Sequence, residues 1–239
     1  MAADDEVGGR GAKQRYLDAG VELLRIQGPG IVASDIRIAD VAERVGVSPA
    51  AVYKLWSEQG GQEQFRRDLA RHAYRTIPRN QITGEVARAA ELAIDLDSSF
   101  AELVRVCADT DLRSLTGTPD SMAVLYALYA AAYHDESLVD DARESLFANI
   151  DQFVPLYDAV LEHFGMRIRA GWTSYDLGLA LEALADGFVM RHLLDPDGAL
   201  RSAELTIGAG EPTRQWSLFA FAVYGIVANF VEPVPDASA

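Results

Sequence analysis

The nineteen residues Ile38–Trp56, IADVAERVGVSPAAVYKLW, constrain this chain more than any other stretch. Ile38, Val41, Ala42 and Val45 fall at i, i+3, i+4 and i+7, one apolar face of a short helix. Gly46 follows, where a helix C-terminus favours a residue able to take positive φ. Val47 is an apolar plug in the turn. Ser48 can cap a second helix, and Pro49 sits at its first position, where a missing N–H costs nothing. In that second helix Val52, Leu55 and Trp56 point one way, which leaves Ala50, Ala51, Tyr53 and Lys54 on the other. Helix, tight turn with glycine, helix is a helix-turn-helix.

The outward face suits DNA. Ala50 and Ala51 let a helix backbone approach base edges, and their methyls can touch a thymine methyl. Tyr53 offers a hydroxyl to a phosphate, Lys54 can neutralise a phosphate or reach a guanine, and the Ser48 hydroxyl can bind a phosphate oxygen. Lys13 and Arg15, on a preceding helix, and Arg10 before them can reach the DNA backbone or a minor groove, although Arg10 reads better as part of a solvated tail. A plain two-helix corner in an all-α domain would have the same apolar pattern, so the surrounding chain matters.

That chain extends the pattern. A first helix over about 12–27 buries Leu17, Gly20, Val21 and Leu24, and Gly28-Pro29-Gly30 stops it. The segment IVASDIRI reads as a loop. A fourth helix over about 62–77 turns Phe65, Leu69, His72 and Ala73 to one side and Arg66, Arg67, Arg71 and Arg75 to the rest, and Pro78 ends it. The phrases YLDAGVELLRIQG, DVAERVGVS and AAVYKLW occur in that order. From about Ala12 to His72 the chain resembles the N-terminal domain of the tetracycline-repressor (TetR) family of transcriptional regulators, most specifically in GVS-x3-V-Y-x2-W. Three departures stand out. Arg37 occupies a position where the family commonly caps with Thr or Ser, although arginine can hold a phosphate. Pro49 replaces a common Lys. SEQGGQEQ after Trp56 is longer than the usual turn and carries no Lys.

The resemblance implies an all-α fold: a helix-turn-helix DNA-binding domain and a larger helical domain for ligand binding and dimerisation. It also implies a cytoplasmic homodimer, read as a repressor, on a pseudo-palindromic operator of double-stranded DNA. A small-molecule inducer of unspecified identity would release it, a shift of helix four carrying the signal. The expected boundaries are a disordered arm over 1–11, the DNA-binding domain over 12–61, a connecting helix over 62–78 and the second domain over 79–239.

Charge fits this division. The net charge of −15 looks hostile to DNA, but residues 1–78 hold 11 Lys+Arg against 11 Asp+Glu, and residues 79–239 hold 10 against 25. The acidity belongs to the second part, and a local basic face is what phosphate binding needs. One cysteine, Cys107, excludes an internal disulfide framework and fits a reducing compartment.

Beyond Ile82 the pattern stays helical, with helices expected at about 84–95, 98–115, 119–133, 136–164, 173–194 and 212–231 and a kink at Pro155. Met122, Tyr126, Tyr129 and Tyr133 share one helical face. Phe147, Phe153, Tyr157 and Phe164 lie on the next helix, with Trp172 just beyond. Aromatics with a few hydroxyls suit a mostly apolar pocket, with Arg105, His134 and His163 as candidate polar anchors; ordinary core packing is the competing explanation. Leu177, Leu181, Leu184 and Phe188 form an apolar row beside the small residues Ala180, Ala183 and Gly187. Trp216–Val231 is apolar nearly all round, with Phe219, Val223 and Ile226 along it. A helix without a polar face must be buried, and sixteen residues fall short of the ~20 that span a bilayer. Pairing of these two helices with their copies in a second subunit is the expected solution, with no membrane partner. Two-fold symmetry would then place two recognition helices about 34–36 Å apart, or a multiple.

Enzymatic motifs are missing. There is no G-x-S-x-G, P-loop or H-E-x-x-H. His72, His134, His163 and His192 have no i+3 or i+4 histidine partner, so no metal or cofactor is expected. The acid pairs Asp95/Asp97 and Asp109/Asp111 read as solvated helix-end charges. An all-α enzyme, or a helical ligand-binding or scaffold protein with a lost DNA head, are the alternatives left by the residues alone.

Overall fold

Helical periodicity governs nearly the whole chain. A computed structural model describes residues 2–27, 36–77, 80–208 and 210–235. The elements begin with α1 (Ala2–Gln27), α2 (Ile38–Val45), α3 (Pro49–Tyr53), a 3-10 turn at Ser57–Gln59 and α4 (Gln62–Thr76). They continue with α5 (Asn80–Asp95), α6 (Phe100–Thr116), α7 (Pro119–Ala132), α8 (Glu136–His163) and β1 (Met166–Ile168). The C-terminal part holds α9 (Ser174–Leu194), α10 (Pro196–Ala199), β2 (Ser202–Leu205), β3 (Arg214–Ser217), α11 (Leu218–Phe230) and β4 (Val231–Pro233). The fold is all-α, with two-stranded antiparallel ribbons β1–β4 and β2–β3 as its sheets among the described residues.

Two expectations change. Residues 2–11, expected as a disordered arm, continue α1. The last helix does not begin near 212. Arg214–Ser217 pairs with Ser202–Leu205 in the register Ser202↔Ser217 to Leu205↔Arg214. Ser217 then caps α11 by accepting from the Ala220 N–H at 3.0 Å. α8 spans Pro155 as one helix, close to the expected 136–164. The Gly28-Pro29-Gly30 stop, most of the IVASDIRI loop and Pro78 lie outside the described residues.

Two compact units form, and they do not follow chain order. The first joins Met1–Ile77 to Asp120–Ser145, so α7 and the head of α8 belong with the helix-turn-helix rather than with the C-terminal part, as the expected boundary at 79 had it. Its core contains Leu24, Ile36, Val41, Val52, Trp56, Phe65 and Leu69, all fully buried. Gly20 sets the approach of α1 to α4, since a Cβ there would lie 2.7 Å from Leu69 Cδ1. At the far end of α4 the Tyr74 hydroxyl donates to the Leu128 carbonyl at 2.8 Å, and its ring stacks on Tyr129. The Ser145 hydroxyl donates to the Tyr74 carbonyl at 3.1 Å. Burial pushes the Tyr74 phenol well above its ordinary range, with Tyr129 and nearby acids adding to the shift.

The second unit is Pro78–Pro119 with Leu146–Ala239. α5 and α6 pack together, α9 and α11 close over α6, and β1–β4 ties the end of α8 to the chain after α11.

Candidate nucleic-acid interface

The helix-turn-helix is built from the local signals in its sequence. Ile38, Val41 and Ala42 are buried along α2, and Val45 is half-buried. Gly46 ends the helix at φ 72°, its N–H turned back to the Glu43 carbonyl. Ser48 caps α3, its hydroxyl accepting from the Ala51 N–H at 3.3 Å, and Pro49 opens the helix. α3 is shorter than the pattern suggests: it ends at Tyr53 with Lys54 as C-cap, and Leu55-Trp56 continue as turns.

Beneath α3 lies a polar anchor that periodicity does not reveal. Trp56 is fully buried, edge-on to Phe65 at 5.1 Å. Its indole N–H donates to Asp68 Oδ2 at 2.9 Å. Lys13 Nζ lies 2.6 Å from the same oxygen and 5.2 Å from the indole centroid. Burial alone would raise the Asp68 carboxyl, but Lys13, Trp56 and Gln64 outweigh it and hold the group below the usual carboxylate range. Lys13, expected on the DNA backbone, is therefore engaged inside the unit, because Asp68 and the indole face offer it a charge and a π surface.

Arg37 is the N-cap of α2 and is exposed. Its guanidinium forks onto Asp40, Nη2 to Oδ1 at 3.0 Å and Nε to Oδ2 at 3.3 Å. The bond and charge of Asp40 raise the Arg37 pKa, and Arg37 in turn lowers that of Asp40. The missing Ser/Thr cap is replaced from the unusual loop. Gln62 Oε1 accepts from the Ile38 N–H at 2.9 Å, and Gln62 Nε2 donates to the Ile36 carbonyl at 2.9 Å. One amide thereby satisfies two backbone groups at the helix start. The Gly60-Gly61 pair makes this possible at φ 105° and 61°. A Cβ on Gly61 would lie 2.6 Å from the Tyr53 hydroxyl, so the phenol rests over that glycine.

The outer surface of this module carries Ser48, Pro49, Ala50, Ala51, Tyr53 and Lys54, all exposed, with Tyr53 at 48 %. Lys54 has no ion-pair partner among the described residues. The α4 arginines are committed elsewhere: Arg67 lies near Glu63 and Asp135, while Arg71 and Arg75 lie near Asp141.

The residues expected to hold a ligand divide between the units. Met122 is buried in the first unit, Tyr126 and Tyr129 are half-buried there, and Tyr133 is 83 % exposed. The Tyr129 hydroxyl lies 3.2 Å from Ser145 Oγ. Trp172 is exposed, its ring against Phe230, and His134 and His163 are exposed. Arg105 is bound to Glu102 and Asp109 at 2.7 and 3.0 Å. Phe153 and Tyr157, by contrast, line a cavity inside the second unit, where the centre of a water molecule has about 110 Å³ to move. Arg105 and Trp172 are not in its lining.

That cavity also takes in residues assigned to other roles by sequence. Leu177, Leu181, Phe219 and Val223, expected at a subunit interface, line it. Trp216 is buried against Tyr224. Ala180, Leu184, Phe188 and Ile226 are half-buried, and Gly187 is exposed. Asp111, read as a solvated helix-end acid, lines the cavity as well; its partner Asp109 accepts from Ser217 at 2.6 Å.

Among the described residues no helix is long and apolar enough to cross a membrane, and no group of three or more His, Cys, Asp or Glu is arranged to hold a metal ion.

No family model and no curated protein matches the chain. Solved structures do match in fold. One, described as a TetR-family transcriptional regulator from Rhodococcus sp., is 14 % identical over 91 % of this chain and 97 % of its own, with a TM-score of 0.50. Another is NalD, the secondary repressor of the MexAB-OprM multidrug efflux pump in Pseudomonas aeruginosa. It is 21 % identical over 78 % of this chain and 86 % of its own, with a TM-score of 0.43. The Rhodococcus match spans almost the whole of both chains, and with the helix-turn-helix described above it leads to one conclusion: this chain has the fold of a TetR-family transcriptional regulator.

Proposed function

We propose that the chain is a cytoplasmic transcriptional regulator, a repressor, that binds a pseudo-palindromic operator as a homodimer and releases it when a small molecule occupies the second unit's cavity. The observation that carries DNA binding is the outward face of α3. Small residues, a phenol and a cation without an ion-pair partner among the described residues lie together on an exposed surface, over a base fixed by Trp56, Asp68 and Gln62. Such a face can position itself on phosphates through Tyr53 and Lys54 while Ala50 and Ala51 meet base edges.

Dimerisation is supported by the sides of α9 and α11 that one protomer leaves uncovered. Leu179, Ala183, Gly187, Met190 and Leu194 form one exposed helical row, and Leu218, Phe221, Gly225 and Ala228 form another. Apolar rows of this length on two helices that already pack together mark an interaction site, and a second copy covers them symmetrically. Release is supported by α8. Its first turns belong to the first unit, where Ser145 bonds the Tyr74 carbonyl of α4, and its later turns carry Asn149, Phe153 and Tyr157 of the cavity wall. A ligand with different affinities for two settings of α8 biases α4 and the DNA-reading module with it.

Lys54→Ala tests the DNA face. Operator binding is expected to weaken while the dimer persists, and the slope of log K against log salt is expected to shrink by about 0.9, one phosphate's worth. Fluorescence anisotropy over a salt series reads both; an unchanged affinity and slope removes Lys54 from the interface.

A further inference from the structure

The cavity inside the second unit is larger than a packing defect. The centre of a water molecule has about 110 Å³ to move in it, and one water needs roughly 10–15 Å³ of such space. Its wall is mostly apolar, with Phe100, Leu103, Phe153, Leu156 and Phe219 contributing. Three carboxylates also belong to the wall, Asp111 from α6 and Glu182 and Asp186 from α9. None of them is free; Glu182 Oε2 already accepts from Asn149 Nδ2 at 2.7 Å. Among the described residues no lysine, arginine or histidine lines the cavity.

Tyr157 on α8 brings a neutral hydroxyl to this wall. Its ring stacks on Phe153, with centroids 5.9 Å apart. Burial raises its phenol well above the ordinary range, and Asp111 and the Cys107 thiol add to the shift. The hydroxyl end therefore lies toward α6 and stays protonated at neutral pH. The residue is deeply packed yet only half-buried, and the surface it keeps belongs to the cavity wall. Among the described residues its hydroxyl makes no hydrogen bond. A donor of this kind in an apolar wall is satisfied by an acceptor that enters the cavity.

These features sort ligands by charge. An anion would meet three carboxylates and no cation. A cation would leave water for carboxylates that already hold interactions within the protein, and would have to displace them. Either ion carries a desolvation cost that an apolar wall does not return. An uncharged apolar molecule with one carbonyl or similar acceptor meets every feature: its body covers the phenyl and leucyl wall, and its oxygen accepts from Tyr157. We infer that the cavity binds uncharged lipophilic molecules that bear a hydrogen-bond acceptor, oriented by the Tyr157 hydroxyl. This inference rests on the proposed role of the cavity as the inducer site and names the class of inducer.

Three probes of nearly one shape separate the classes: 5-phenylpentan-2-one (uncharged, with one acceptor), 5-phenylpentan-2-amine (a cation at neutral pH) and 4-phenylbutanoate (an anion), titrated calorimetrically into the full chain. The ketone is expected to bind at least about tenfold more tightly than either ion. Tyr157→Phe is expected to weaken the ketone by about fivefold to tenfold, the loss of one hydrogen bond. The same variant is expected to bind pentylbenzene, which has the same carbon skeleton and no acceptor, as the parent does. The comparison on the unaltered chain stands even if the variant folds poorly. An ion that binds as tightly as the ketone overturns the inference, as does absence of ketone binding at millimolar concentration. A Tyr157→Phe chain that keeps its helical content and its full affinity for the ketone overturns the role of the hydroxyl. Repeating the titrations on operator-bound protein separates the two claims. Ketone-selective binding that leaves the DNA bound overturns inducer release and keeps the ligand class. Release by an ion in preference to the ketone overturns the ligand class and keeps inducer release.

Discussion

Trp56→Ala is expected to destabilise the DNA-reading unit by about 3–5 kcal/mol, the range for deleting a large aromatic from a packed core. The total stability of a domain is only about 5–15 kcal/mol, so this single change removes much of it. The indole is fully buried beneath α3, is edge-on to Phe65, donates to Asp68 and lies under the Lys13 ammonium. Its loss opens a cavity and takes a donor and a π surface from a charged pair at once. Chemical denaturation followed by far-UV circular dichroism measures the effect. Operator binding is expected to disappear with it, because Tyr53 and Lys54 are placed by what lies below them. A variant as stable as the parent would mean that α3 is supported in some other way.

Phe221→Asp is the second large effect. Phe221 is 48 % exposed in the single protomer, on the α11 row that a second copy is proposed to cover. A carboxylate there points to solvent in the monomer but would be buried without a partner in the dimer, which strongly opposes association. Analytical ultracentrifugation is expected to find the single 26.0 kDa chain in place of the dimer, with its helical content unchanged. Operator affinity is expected to fall by about 10²–10⁴-fold, the avidity lost when two linked sites become one. A variant that still sediments as a dimer places the interface elsewhere.

The sequence was most legible where local chemistry alone decides the structure. Gly46, Ser48 and Pro49 mark the turn by conformational freedom, capping and ring geometry, and none of these depends on distant residues. Leu17, Val21 and Leu24 on α1, and Phe65 and Leu69 on α4, follow the same logic of period. Legibility ended where period stops discriminating. α11 is apolar nearly all round, so spacing cannot say which of Phe219 and Phe221 faces inward; the structure buries the first and exposes the second. α9 behaves the same way at Leu177 and Leu179. The tyrosine face of α7 was readable as a stripe, but not its place beside Tyr74 in the first unit. The β2–β3 ribbon was hidden because a four-residue strand carries too little alternation to register. Long-range polar contacts were invisible for another reason: nothing in the order of residues pairs Lys13 with Asp68, Gln62 with Ile38, or Asn149 with Glu182. Asp111 looked like any helix-end acid until α5, α8, α9 and α11 were placed around the cavity it lines.

The central claim is sequence-specific recognition of DNA by a symmetric pair of these helix-turn-helix modules. Selection of bound fragments from random double-stranded DNA, read by sequencing, tests it most directly. Enrichment of a two-fold related motif, with half-sites one or two helical turns apart, is the predicted outcome. A bound pool as random as the input, or no bound pool at low salt, would contradict it.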